Sequence, residues 1–217
     1  MKKLLLISMS LVLASFTGQT YNEAGSLDET TEKTEITGVK VGDKAPYFKL
    51  KNIDGKEYSF ENIMDGNGNK PKGYIVIFTC NTCPVAKANE QRIIQLHEKY
   101  ASQGYPVVAI QPNDPAVVPG DSFEAMKTNA KEKGFDFLYL FDDGQEIFPK
   151  YGATKTPEVY LVDSKLTVRY HGAIDDNARD EDGVKEKFLE NAIMSIEKGQ
   201  DPEPATTKAV GCGIKTS

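Results

Sequence analysis

The run from Tyr74 to Thr79 passes directly into Cys80-Asn81-Thr82-Cys83-Pro84, and then into helix-forming sequence from Ala86 to Tyr100. The first stretch is short, β-branched and aromatic, which reads as a strand buried on both faces. The last carries Ala86, Ile93, Ile94 and Tyr100 at helical spacing. A strand therefore delivers two cysteines to the start of a helix. Cysteines at i and i+3 there can reach disulfide geometry. The helix N-terminus offers free N–H groups and partial positive charge, which favour thiolate, the nucleophilic form of sulfur. On this reading Cys80, being first, is the more exposed and attacks. Cys83, one turn in, resolves the mixed disulfide. A structural zinc site would need two further paired ligands, and only Cys212, His97 and His171 remain. An inert staple is a poor alternative, since closing so short a loop stabilises little.

The flanking elements alternate. Phe48 and Leu50, then Tyr58 and Phe60, flank Asn52-Ile53-Asp54-Gly55, a hairpin signal. Val107 to Ile110 is a second buried strand, and Gln111 to Gly120, with three prolines, is a loop. Ser122 to Lys133 reads as a helix, with Asp121 as its cap and Gly134 past its end. Phe137 to Phe141 is a strand candidate and Gln145 to Tyr151 a short helix. Val159 to Val162 and Leu166 to Tyr170 form a hairpin, and Asp182 to Lys198 a closing amphipathic helix with Val184, Phe188, Leu189 and Ile193 on one side. The expected architecture is α/β: a mixed central β-sheet flanked by helices, preceded by an extra N-terminal β-hairpin.

Three motifs in order carry a family resemblance: Val41-Gly42-Asp43-Lys44-Ala45-Pro46, Phe78-Thr79-Cys80-Asn81-Thr82-Cys83-Pro84, and Thr156-Pro157-Glu158-Val159-Tyr160-Leu161-Val162-Asp163. The segment from Val41 to Lys198 resembles the thioredoxin-like superfamily, in its redoxin or peroxiredoxin-like (AhpC/TSA-type) branch. The resemblance implies a thioredoxin fold and a cis peptide before Pro157, in a loop facing the cysteines. Thr156 and Pro157, with Asn81 and Thr82, would then line the substrate groove. It also implies an enzyme exchanging disulfides with protein substrates and served by a redox partner. No cofactor is expected beyond a redox-active Cys80–Cys83 disulfide, and no metal.

The chain departs from thioredoxin itself, having no Trp and carrying Asn-Thr inside the motif. Peroxiredoxin-like thiol peroxidases are the nearest rival, since Cys-Pro marks their reactive cysteine. The Thr and Pro that they place three and seven residues earlier are Cys80 and Val76 here, and Arg169 is a weak candidate for their arginine. Copper-delivery proteins of this fold use CxxxC spacing with a distant His. A non-catalytic exported binding module is a further alternative.

Lys2 and Lys3 precede an apolar run from Leu4 to Phe16, with small residues after it. That pattern predicts a signal peptide over 1–19 and an exported, periplasmic or extracellular protein; the run is too short for a comfortable membrane span. An uncleaved N-terminal anchor is the alternative and the one membrane link expected. Residues 20–40 read as a flexible linker, 41–199 as the thioredoxin-like domain, and 200–217 as a flexible tail. The formal charge of -6, with no basic cluster, argues against nucleic acid as a partner. Cys212, in Val210-Gly211-Cys212-Gly213, has three readings: a third redox thiol reaching back to the site, a link between two chains, or a spare thiol. The acidic stretch Asp175 to Asp182 reads as a solvated loop.

Overall fold

The computed structural model describes residues 38–217; the expected signal peptide and nearly all of the linker lie outside the described residues. Nine strands and four α-helices follow in order among the described residues. They are β1 (Leu50–Asn52), β2 (Glu57–Tyr58), β3 (Gly73–Phe78), α1 (Pro84–Tyr100), β4 (Val107–Gln111), α2 (Phe123–Lys133), β5 (Leu138–Phe141), α3 (Ile147–Tyr151), β6 (Lys155–Thr156), β7 (Glu158–Asp163), β8 (Val168–Gly172), α4 (Phe188–Glu197) and β9 (Cys212–Gly213). Seven strands form one mixed sheet in the order β2-β1-β5-β4-β3-β7-β8. The β3–β4 and β4–β5 pairs are parallel, and β7 runs antiparallel to both β3 and β8. The N-terminal hairpin turns at Asn52–Gly55 and extends the sheet beyond β5.

The sheet separates two apolar layers, and its period-two alternation assigns side chains to each. Ile75 and Ile77 of β3 point to the layer that holds Ile93 and Leu96 of α1, Met126 and Ala130 of α2, and Leu189 and Ile193 of α4. Tyr74, Val76 and Phe78 point the other way, onto Phe48, Phe60, Tyr151 and Tyr160. Every residue of β3 and β4 is buried, as a strand covered on both faces requires. Such a centre holds the end of β3, and the cysteines after it, in a fixed place.

Gly38 lies against Gly152 so closely that no side chain would fit at either position. Several expectations need correction. The closing helix spans Phe188–Glu197 rather than Asp182 to Lys198. Asp176 explains the difference: its N–H donates to the Glu186 carbonyl and its carboxylate accepts from the Lys185 N–H. These bonds fold 176–186 into a loop where Val184 was expected to be helical. Ser122, not Asp121, caps α2, accepting from the Ala125 N–H.

The segment after α4, expected to be a free tail, is docked. His171 N–H donates to the Ala205 carbonyl and Thr207 N–H to the His171 carbonyl. Farther on, β9 pairs antiparallel with β6, Thr156 opposite Cys212 and Lys155 opposite Gly213.

Candidate active site

The end of β3, the start of α1, the Thr156–Pro157 loop and β9 meet at one place. Cys83 is the N-cap of α1 and Pro84 its first residue, a position where proline's missing N–H goes unneeded. The Thr156–Pro157 peptide is cis, and Thr156 touches both sulfurs of the motif. Its hydroxyl lies 3.2 Å from Cys80 Sγ. Its carbonyl oxygen lies 3.3 Å from Cys83 Sγ.

The cysteine pairing differs from the expected one. The disulfide joins Cys83 to Cys212, with Cα atoms 6.0 Å apart, and Cys80 is the free thiol. Exposure differs too: Cys80 is 3% and Cys83 4% accessible, so the first cysteine is no more open than the second. The tail strand explains both observations, because it brings Cys212 onto Cys83. Cys80, Cys83, Val85 and Ala86 pack with Cys212 and with Ala178 of the acidic loop.

Burial also reverses the expected electrostatics of Cys80. Desolvation pushes its thiol above the ordinary range, and the negative charge of Asp121 adds to this. The Thr156 hydroxyl and the backbone N–H groups of Cys83 and Thr82 work in the opposite direction without overcoming it.

Asp121 is the main residue that sequence reasoning misplaced. Fully buried, its carboxylate accepts from the N–H groups of Asn81 (2.9 Å) and Thr82 (3.1 Å), the Thr82 hydroxyl (2.9 Å) and Asn113 Nδ2 (2.7 Å). It thus ties down the turn between the two cysteines. Gly-Asp-Ser before a helix offers two adjacent residues able to cap, and Ser122 taking that role frees Asp121 for the turn.

Asn81, expected to contact substrate, faces inward. It donates to the Gly120 carbonyl and accepts from Tyr139 Oη (3.0 Å) and Asn129 Nδ2 (3.2 Å). Thr82 is exposed and borders an open groove of about 580 Å³ with Lys87, Gly120, Ala125 and Glu132.

Glu158 shapes the opposite wall. Its carboxylate accepts from the N–H groups of Thr154 (2.8 Å) and Lys155 (2.9 Å) and lies 2.6 Å from His171 Nε2. Burial alone would raise its pKa, but these hydrogen bonds and the charge of His171 hold it below the usual carboxylate range. Sequence reading passed over Glu158, although a carboxylate directly after the cis-proline was the available signal.

Two of the three arginines are engaged elsewhere. Arg169 pairs with Asp163 and Asp201. Arg92, buried, pairs with Asp175 at 2.7 Å and donates to the Asn177 carbonyl. Among the described residues no cluster of three His, Cys, Asp or Glu side chains could hold a metal ion.

A mixed sheet flanked by helices, with two cysteines at a helix start facing a cis-proline loop, defines a redoxin of the thioredoxin fold. The chain belongs to the AhpC/TSA family, whose model matches residues 41–171. It is 25% identical over 136 residues to the thiol-disulfide oxidoreductase ResA of Geobacillus thermodenitrificans (strain NG80-2), covering 63% of this chain and 71% of that protein. An uncharacterized conserved protein of Geobacillus kaustophilus shares 31% identity and superposes with a TM-score of 0.74, covering 82% of this chain and 93% of the other. A thioredoxin family thiol:disulfide interchange protein of Chlorobium tepidum TLS has the same fold, with a TM-score of 0.51 at 21% identity over 69% of this chain and 92% of its own.

Proposed function

We propose that this protein is an exported thiol–disulfide oxidoreductase that exchanges disulfides with protein substrates through Cys80 and Cys83. The observation that carries the reading is Thr156, whose hydroxyl and carbonyl lie against the two motif sulfurs at 3.2 and 3.3 Å, directly before the cis-proline. Relatives named as thiol-disulfide oxidoreductases support redox chemistry of this class. The apolar leader with its two lysines supports export.

In the cycle, the Cys80 thiolate attacks a substrate disulfide and one substrate sulfur leaves as thiolate. Cys83 then attacks Cys80, forming a Cys80–Cys83 disulfide and releasing the second substrate thiol. Two electrons pass from the dithiol to the substrate, and a dithiol redox partner returns them.

The test is turnover of a self-quenched, disulfide-linked peptide pair with dithiothreitol as electron source. We expect turnover by the native chain and a loss of about a hundredfold or more in Cys80→Ser and in Cys83→Ser, since the two sulfurs act as a unit. Unchanged turnover in Cys80→Ser would sink the reading. Hydrogen peroxide consumption that survives Cys80→Ser but not Cys83→Ser would point instead to a thiol peroxidase.

A further inference from the structure

We propose that Cys212 is a third redox cysteine, which takes Cys83 over from Cys80, and that its strand fills the groove where a substrate peptide would pair. The inference rests on the thiol-exchange reading above. Three observations carry it beyond the disulfide itself. First, β9 pairs with β6 through Thr156 and Lys155, using the main-chain groups that an extended substrate segment would use. Second, a Cβ on Gly211 would collide with the Thr156 carbonyl and Pro157 N, so the tail fits this groove only with glycine before the cysteine. Third, the strand is anchored on its far side by contacts independent of sulfur. Ile214 N–H donates to the Thr154 carbonyl, Lys215 N–H to Asn113 Oδ1, and Asp114 N–H and Gln145 Nε2 to the Lys215 carbonyl. The anchors hold Cys212 beside Cys83, making its attack effectively unimolecular.

The step is an isomerisation with no net electron transfer. Starting from Cys80–Cys83, the Cys212 thiolate attacks Cys83 Sγ. The Cys83–Cys212 bond forms as the Cys80–Cys83 bond breaks, and Cys80 leaves as thiolate and takes up the proton that Cys212 gave up. A dithiol reductant later supplies two electrons and two protons to Cys83–Cys212. The oxidised enzyme is thereby closed to reduced substrates, with Cys80 buried and the groove occupied. This biases the enzyme toward reducing substrates rather than oxidising them.

The test uses the full chain, equilibrated in glutathione buffers, acid-quenched, alkylated and mapped by mass spectrometry. The expected product is a Cys83–Cys212 linked peptide with Cys80 alkylated. Cys212→Ser should accumulate Cys80–Cys83 instead. Gly211→Val keeps all three thiols but blocks tail docking, and should raise the ratio of Cys80–Cys83 to Cys83–Cys212 by about tenfold or more. Wild-type chain that equilibrates as Cys80–Cys83 with Cys212 alkylated, or as a Cys212–Cys212 dimer, overturns the proposal. So does a map unchanged by Gly211→Val. The two readings fail separately: peptide-disulfide turnover absent from both wild type and Cys212→Ser sinks thiol exchange, whereas the map alone decides the place of Cys212.

Discussion

The Thr156 hydroxyl lies 3.2 Å from Cys80 Sγ, where burial and the Asp121 charge oppose ionisation of that thiol. Thr156→Val keeps the shape and removes the hydrogen bond. Iodoacetamide alkylation of Cys80 in the oxidised protein should slow by about two- to tenfold at fixed pH, the worth of one hydrogen bond. In the native chain, burial should keep alkylation slow at neutral pH and let it rise only above the ordinary thiol range. A rate–pH profile checks both.

Asp121 holds the turn between the cysteines with three accepted hydrogen bonds and accepts a fourth from Asn113. Asp121→Ala leaves buried N–H groups unpaired and should destabilise the fold by about 2–4 kcal/mol in urea titrations. Asp121→Asn keeps the volume and removes the charge. Because that charge helps to raise the Cys80 pKa, alkylation of Cys80 should become faster in this variant, an effect opposite to that of Thr156→Val.

Glu158 links stability to pH. Its folded pKa lies below its unfolded value, which is about 4.3. The stabilisation is therefore fully present above the unfolded value and is lost as pH falls through the depressed folded one. Urea midpoints measured from pH 7 down to pH 3 should show a steeper acid loss in the native chain than in Glu158→Gln.

Arg92 and Asp175 form a buried pair that ties the acidic loop to α1. Asp175→Ala should cost about 3–5 kcal/mol, because it strands a buried guanidinium. The double variant Arg92→Leu/Asp175→Ala should recover part of that loss. An additive double-mutant cycle would contradict the coupling.

The sequence made the scaffold readable because its signals are local. The alternating buried runs, Asp54-Gly55, and Pro84 behind Cys83 each act within a few residues of themselves, and each led to the right element. Asp121 was legible as a capping residue, but which neighbour took α2 and which took the cysteine turn depended on where Asn81 and Thr82 come to lie. The link between Cys83 and Cys212 spans 129 residues. No periodicity or spacing reports where a polar tail ends up, so the sequence leaves three readings of Cys212 open, and the strand pairing with Thr156 is what places it beside Cys83. The closing helix was overextended for a similar reason: Val184 fits the periodicity, yet Asp176 captures the backbone ahead of it.

That long link also changes the chain's topology. When Cys83 and Cys212 are joined, the polypeptide between them, carrying α1 through α4, becomes a closed ring that remains closed even when the protein melts. A ring of this size restricts the denatured ensemble by about 5 kcal/mol on chain-entropy grounds. The thermal resistance of the molecule would thus follow the redox poise of its surroundings, and a reducing compartment would hold a looser, more easily degraded form than an oxidising one.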